Sequence, residues 1–221
     1  MSYSQVESPL YKLLLAGKHL KLPKGQVVNA FDSTAINLIK SGYIKRYLIT
    51  KEGTKSIQVI YGPKDIFPLT PVYKAVYKMD IYSGPEQYYY ESMTPIEIFS
   101  LGQAELDIAM VSNPIIYQDL FYAAGLRLNS YIHRLESMSL RVANKKVAHQ
   151  LLYLARIFGS STTKGSITIM VPLTHQDLAD VLNLARETVT HCLLRLQQKG
   201  LINISKNIVV LDIDGLNQAA H

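Results

Sequence analysis

Apolar residues change their period twice along this chain, and the changes mark its parts. Residues 9–20 place Leu10, Leu13, Leu14 and Leu20 in helix-like spacing before Lys21-Leu22-Pro23-Lys24-Gly25 breaks it. From there to about Leu101, short Val-, Ile- and Tyr-rich runs at 26–31, 35–40, 42–49, 56–60, 88–92 and 96–101 predict strands. Ser41-Gly42, Glu52-Gly53, Gly62-Pro63 and Ser83-Gly84-Pro85 punctuate them as turns. The pattern predicts a small antiparallel roll or barrel.

Asn113-Pro114 then starts a helix, since proline suits the first helical position. Tyr117, Phe121, Ala124, Leu128, Tyr131, Leu135 and Met138 follow in alternating steps of four and three. A heptad run of this length is a seam for a second helix, here that of a second copy. Residues 143–158 form another helix, with Val147, Leu151, Leu154, Ala155 and Phe158 on one side and Gly159 to end it. A polar loop at 160–165 leads to alternating Ile167, Ile169 and Val171, a half-buried strand.

The segment 174–199 carries the chemistry. Thr174-His175-Gln176-Asp177 opens a helix as a capping-box variant, and that helix stops at Asn183-Leu184. A second helix over 186–199 turns Val189, Cys192, Leu193 and Leu196 inward and closes at Gly200. Two helices joined by so short a turn cross steeply, which requires a small residue at the crossing, Ala179, and a residue tolerant of positive φ in the turn, Asn183. Apolar runs at 201–205 and 208–211 flank Lys206-Asn207 as a two-residue hairpin turn. Helix-turn-helix plus hairpin is a winged helix, and it points to double-stranded DNA.

Charge agrees with that reading. The net charge is +6, and from Ser139 onward nine Lys/Arg face five acids, so most of the excess lies at the C-terminal end. The one cysteine, Cys192, permits neither an internal disulfide nor an iron-sulfur cluster. With no signal-like or 18-residue apolar stretch, the expected location is the cytoplasm, away from membranes. An enzyme on a cupin-type roll would need several metal-binding histidines, and residues 23–110 contain none. Phosphate-loop, H-E-x-x-H and nucleophile-elbow motifs are also missing, so no enzymatic activity is expected. The competing reading is a ligand-binding or protein-interaction module whose helical tail does not bind DNA.

Leu173-Thr174-His175-Gln176-Asp177-Leu178-Ala179 followed by Ala185-Arg186-Glu187-Thr188-Val189-Thr190 resembles the signature of Crp/Fnr-type transcription regulators. The resemblance implies an α+β chain in three parts: a sensor β-roll over 1–110, a dimerisation helix over 111–140 and a winged helix over 141–221. It implies a homodimer on a palindromic operator, with RNA polymerase as a further partner if the protein activates. Base readers would be Arg186, Glu187, Thr190 and His191, because a recognition helix enters the major groove by its N-terminal residues. Thr174, Gln176, Thr188 and Lys206 are candidates for phosphate contacts. Two departures stand out. His191 sits where the family often has a second base-reading arginine, whose bidentate fork imidazole cannot copy. Ala185 replaces the usual serine cap at a cost of roughly 1 kcal/mol.

In members that bind cyclic AMP, Gly-Glu and Arg-Ser or Arg-Thr pairs hold ribose and phosphate. Here Asp65-Ile66-Phe67-Pro68-Leu69 lacks Gly-Glu, and Glu86-Gln87 aligns with the arginine position, where an acid would repel the phosphate. Cyclic AMP is therefore not expected as the effector. Haem is unsupported, since His19 is the sole histidine before His133. Tyr73, Tyr77, Tyr82, Tyr88, Tyr89 and Tyr90 could line an aromatic effector pocket, or simply be core and strand residues.

Overall fold

The computed structural model describes residues 8–29, 35–72, 88–162 and 165–221. Tyr73, Tyr77, Tyr82 and the Glu86-Gln87 pair lie outside these, as do Ala30 and Phe31 at the end of the first expected strand. The chain forms two compact units, Met1–Asn129 and Ser130–His221.

The first unit opens with α1 (Pro9–Leu15), which Ser8 caps by accepting a hydrogen bond from the Tyr11 amide at 3.1 Å. The expected helix over 9–20 is too long: Leu20 belongs to strand β1 (Lys18–Leu22). Gly17 makes the break, because a Cβ there would lie 2.4 Å from the Ser100 carbonyl oxygen. The chain then continues through β2 (Val27–Asn29), β3 (Ala35–Ser41), β4 (Ile44–Ile49), β5 (Lys55–Tyr61), β6 (Ile66–Phe67), β7 (Tyr89–Ser92) and β8 (Ile96–Gly102). They form two antiparallel four-stranded sheets, ordered β1-β8-β3-β6 and β2-β7-β4-β5. This is the β-roll expected from the sequence, with β1 and β6 added. Tyr61 and Tyr90 pack on the fully buried Phe67 at centroid distances of 5.0 and 5.5 Å, so Tyr90 is a core residue. Tyr89 stacks on Tyr47, and Tyr88 lies under the Arg46 guanidinium.

A helix not anticipated, α2 (Gln103–Ser112), follows β8 directly, where the sequence suggested that roll residues ran to 110. Glu105 explains its start, since its carboxylate accepts the Gly102 amide at 3.0 Å. Next comes α3 (Ile115–Ser139). Its first turns bury Ile116, Leu120 and Ala123 with Leu10 and Leu14 of α1, Leu106 and Met110 of α2, and Ile36, Leu38, Ile66 and Leu101 of the roll. Asp119 accepts the otherwise orphaned Leu10 amide at 2.9 Å, and burial pushes its carboxyl up from the usual range. Two turns further on, Arg127 reaches Asp65 Oδ1 at 3.4 Å while its guanidinium lies 4.0 Å over the Tyr61 ring. Asp65 Oδ2 also accepts the Gly62 amide at 2.8 Å.

The opposite face of α3 is apolar and bare. Phe121 is 82% exposed, Leu135 66%, Leu128 59%, Tyr117 46% and Met138 37%, with Ala124 and Tyr131 half-exposed between them. These are the heptad positions.

The second unit contains the end of α3, α4 (Ala143–Phe158), β9 (Gly159–Ser161), β10 (Ile167–Ile169), α5 (His175–Leu182), α6 (Arg186–Gln198), β11 (Ile202–Ile204), β12 (Ile208–Val210) and α7 (Ile213–Ala220). The predicted polar loop at 160–165 is partly strand, because β9 pairs with β10 as the edge of a β11-β12-β10-β9 sheet. Gly159 ends α4 without a left-handed turn, at φ −83°. Glycine is required there for close approach: a Cβ would fall 1.9 Å from the Ala155 carbonyl. The unforeseen α7 packs Leu216 and Ala220, both fully buried, where α4 and α7 meet.

Candidate nucleic-acid interface

Helix α5 begins as its sequence demands. Thr174 Oγ1 accepts the Asp177 amide at 3.0 Å, and Asp177 Oδ2 accepts the Thr174 amide at 3.0 Å and its hydroxyl at 2.6 Å. Four orphan donors crowd a helix N-terminus, and this reciprocal pair satisfies two groups there at once. The helix stops at Asn183, which takes up the left-handed conformation at φ 51°, ψ 50°. Leu184 then donates to the Ala179 carbonyl at 3.1 Å, and the chain turns into α6. Asn183→Ala should destabilise this unit by about 1 kcal/mol, because alanine keeps the Cβ that crowds the left-handed state but loses the short polar side chain that offsets it, while Asn183→Gly changes stability by a few tenths at most. Urea unfolding of the three proteins measures both.

Ala179 is 1% exposed at the crossing of α5 and α6, and Val189, Cys192, Leu193 and Leu196 are buried beneath α6. Burial pushes the Cys192 thiol up from its usual value, as suits a core residue rather than a nucleophile. With this face committed, the other face of α6 presents Arg186, Glu187, His191 and Arg195 to solvent. Thr190 lies half-buried among them. Its hydroxyl donates to the Arg186 carbonyl at 3.0 Å and meets His175 Nδ1 at 2.9 Å.

The expected phosphate contacts are arranged less uniformly. Thr174 is exposed, but its hydroxyl proton is engaged by Asp177. Gln176 donates to Asp180 Oδ1 at 2.6 Å. Thr188 faces a concave site of about 500 Å³ that it shares with His191, Arg195 and the start of α4 at Val142, Ala143 and Asn144. Nothing in the sequence pattern brought α4 to this site. Its N-cap, Val142, makes no side-chain cap bond, which leaves backbone donors beside Thr188 and Arg195. The N-cap of α6, Ala185, likewise makes no side-chain cap bond. Lys206 stands exposed at the tip of the hairpin. Ile204 pairs with Ile208, so the wing turn has three residues, Ser205-Lys206-Asn207, rather than two. A bond from the Ser205 amide to the Asn207 carbonyl at 3.2 Å closes it.

This geometry has counterparts. The family model for the Crp-like helix-turn-helix domain matches residues 145–219. A CRP-like cAMP-activated global transcriptional regulator of Mycobacterium tuberculosis is 24% identical over 201 residues, covering 90% of this chain and 86% of that protein. A global nitrogen regulator of a Nostoc species is 28% identical over 124 residues, which is 56% of this chain and 55% of the relative. Among solved structures, FixK2 from Bradyrhizobium japonicum superposes with a TM-score of 0.75 at 18% identity, covering 93% of this chain and 98% of its own. A mutant of CooA from Carboxydothermus hydrogenoformans gives 0.74 at 17% identity, covering 98% and 94%. The roll, long helix and winged helix are thus the fold of these regulators, residues 145–219 are a Crp-like helix-turn-helix domain, and the chain is similar over most of its length to DNA-binding transcription regulators of the CRP type.

Proposed function

We propose that the protein acts as a cytoplasmic homodimer that reads a palindromic operator, with α6 of each copy in the major groove. The observation that carries this reading is the division of α6: a fully packed underside, and an outer face whose first turns offer Arg186, Glu187, Thr190 and His191. Arg186 suits guanine O6 and N7, and Glu187 suits cytosine N4. The Thr190 hydroxyl is already bonded, so its methyl group is what it has left for a base, and the C5-methyl of thymine is the natural partner. Thr188, Lys206 and the bare N-termini of α4 and α6 hold phosphates, with Thr174 and Gln176 at the margin. Pairing of the exposed α3 stripe, Tyr117 to Met138, would remove from water the apolar surface that one chain leaves open.

Regulation by cyclic AMP is not part of the proposal, although the mycobacterial relative is named for it. Asp65 stands where Gly-Glu would be required, and it spends its carboxylate on Gly62 and Arg127. A single cysteine cannot hold an iron-sulfur cluster, no catalytic constellation is proposed, and RNA polymerase is a partner where the bound operator lies beside a promoter.

The test is selection of bound duplexes from a random pool, combined with a salt titration. Enrichment of a palindrome with half-sites about one helical turn apart is expected, with an affinity that falls steeply as salt rises. A non-palindromic consensus, or binding indifferent to salt, would overturn the reading.

A further inference from the structure

Where the end of α3 meets α4, three rings stack. His133 lies 4.2 Å from His149 with planes 4° apart, and 4.1 Å from Tyr153 with planes 14° apart. Glu136, one turn beyond His133 on α3, brings a carboxylate oxygen to 3.9 Å from His133 Nδ1. One donor atom from each of His133, Glu136 and His149 lies within 4.8 Å of the other two. The transcription reading uses none of these residues.

We propose that His133, Glu136 and His149 bind a divalent transition-metal ion, Zn2+ by preference, across the junction of α3 and α4. Two imidazoles and a carboxylate form the ligand set of an open zinc site, with water in the fourth position. Imidazole nitrogens also select against Mg2+ and Ca2+, which prefer oxygen alone.

Three observations carry the assignment. His133 Nε2 is buried without a hydrogen-bond partner, an unspent polar group of the kind that folded proteins seldom leave. His149 Nδ1 is 2.7 Å from Ser137 Oγ, and Ser137 is fully buried. That contact fixes the ring and leaves Nε2 for a metal, the role second-shell partners have at zinc centres. Finally, the Glu136 side chain is 60% exposed and free to swing inward.

Ligation requires a modest rearrangement. Donors around a tetrahedral zinc sit about 3.4 Å apart, given metal–ligand bonds near 2.1 Å. Lone pairs of near-parallel rings do not converge, so one imidazole must rotate about its Cβ–Cγ bond, a broad torsion. Binding therefore breaks the ring stack. The charges that face the cluster are Glu136 on α3, Arg156 on α4 and His221 after α7. The carboxylate offsets the cation's neighbours.

Calorimetry with Zn2+ on the full-length, tag-free protein tests the site, with Co2+ absorption and histidine NMR signals as independent readouts. One Zn2+ per chain is expected, with tetrahedral cobalt bands and two of the six histidines perturbed. Glu136→Gln and His149→Gln should each weaken binding at least ~10-fold. Glu136 is exposed, so its variant keeps the fold even if changes at His149 disturb packing. His191→Gln should leave the affinity unchanged. Absence of binding at micromolar Zn2+, or binding that survives both cluster variants, would overturn the assignment.

Discussion

Arg127→Met will destabilise the N-terminal unit by roughly 3 kcal/mol at neutral pH, the low end for breaking a buried ion pair. Both partners are largely sheltered, with side-chain exposures of 12% for Arg127 and 23% for Asp65. Removing the guanidinium leaves a carboxylate with one backbone donor, Gly62, and takes a cation off the Tyr61 ring. The pH dependence has a definite sign. Burial is the largest influence on Asp65 and already raises its carboxyl above the usual range despite the pull of Arg127. Loss of the arginine raises it further. The destabilisation is therefore complete at neutral pH and shrinks as pH falls toward the ordinary carboxylate range, where Asp65 is protonated whether folded or not. Asp65→Asn, which keeps an acceptor for Gly62, should restore part of the stability of the Arg127→Met protein. Chemical unfolding of the four proteins at neutral and acidic pH gives the coupling. A loss that persists unchanged at low pH would mean that Arg127 acts through packing alone.

Arg186→Ala will relax base preference at one position of each half-site and weaken specific binding by ~1–3 kcal/mol per contact. Its backbone opens α6, and its side chain is exposed, so the substitution disturbs no packing. Binding to unrelated duplex falls far less, because phosphate contacts elsewhere carry that affinity. Competition between operator and random DNA separates the two effects. An unaltered selected consensus would remove Arg186 from the base readers.

The winged helix was legible because its signals are local. The Thr174–Asp177 box, the Asn183 turn and the inward spacing of Val189, Cys192 and Leu196 each fix a conformation within a few residues. The long helix was legible for a similar reason, as a heptad pattern needs no partner to be read. What escaped depends on distant or weak signals. Strand β6 is two residues long, too short for any periodicity. Helix α7 hides behind Gly215, a poor helix former, where a Cβ would displace the side-chain ends of Asp212 and Leu201. Helix α2 follows β8 without a break, so no turn residue announced it. The Asp65–Arg127 pair and the His133–His149 stack join residues far apart in sequence, and single-chain periodicity holds no record of such meetings. Of the proposed DNA-facing set, Arg186, Glu187, Thr190 and His191 come from the motif alone, whereas the start of α4 enters only through its packing beside α6.

Ala185 gives the recognition helix a lasting incompleteness. Its side chain supplies no acceptor, so the N-cap residue makes no bond to the first amides of α6. A phosphate oxygen at that point would serve as the missing cap, and the helix would be finished by its own operator. Part of the binding energy then goes into ordering the reader. A hydroxyl installed by Ala185→Ser would settle the first turn before DNA arrives, trading some of that coupling for a more stable unbound protein.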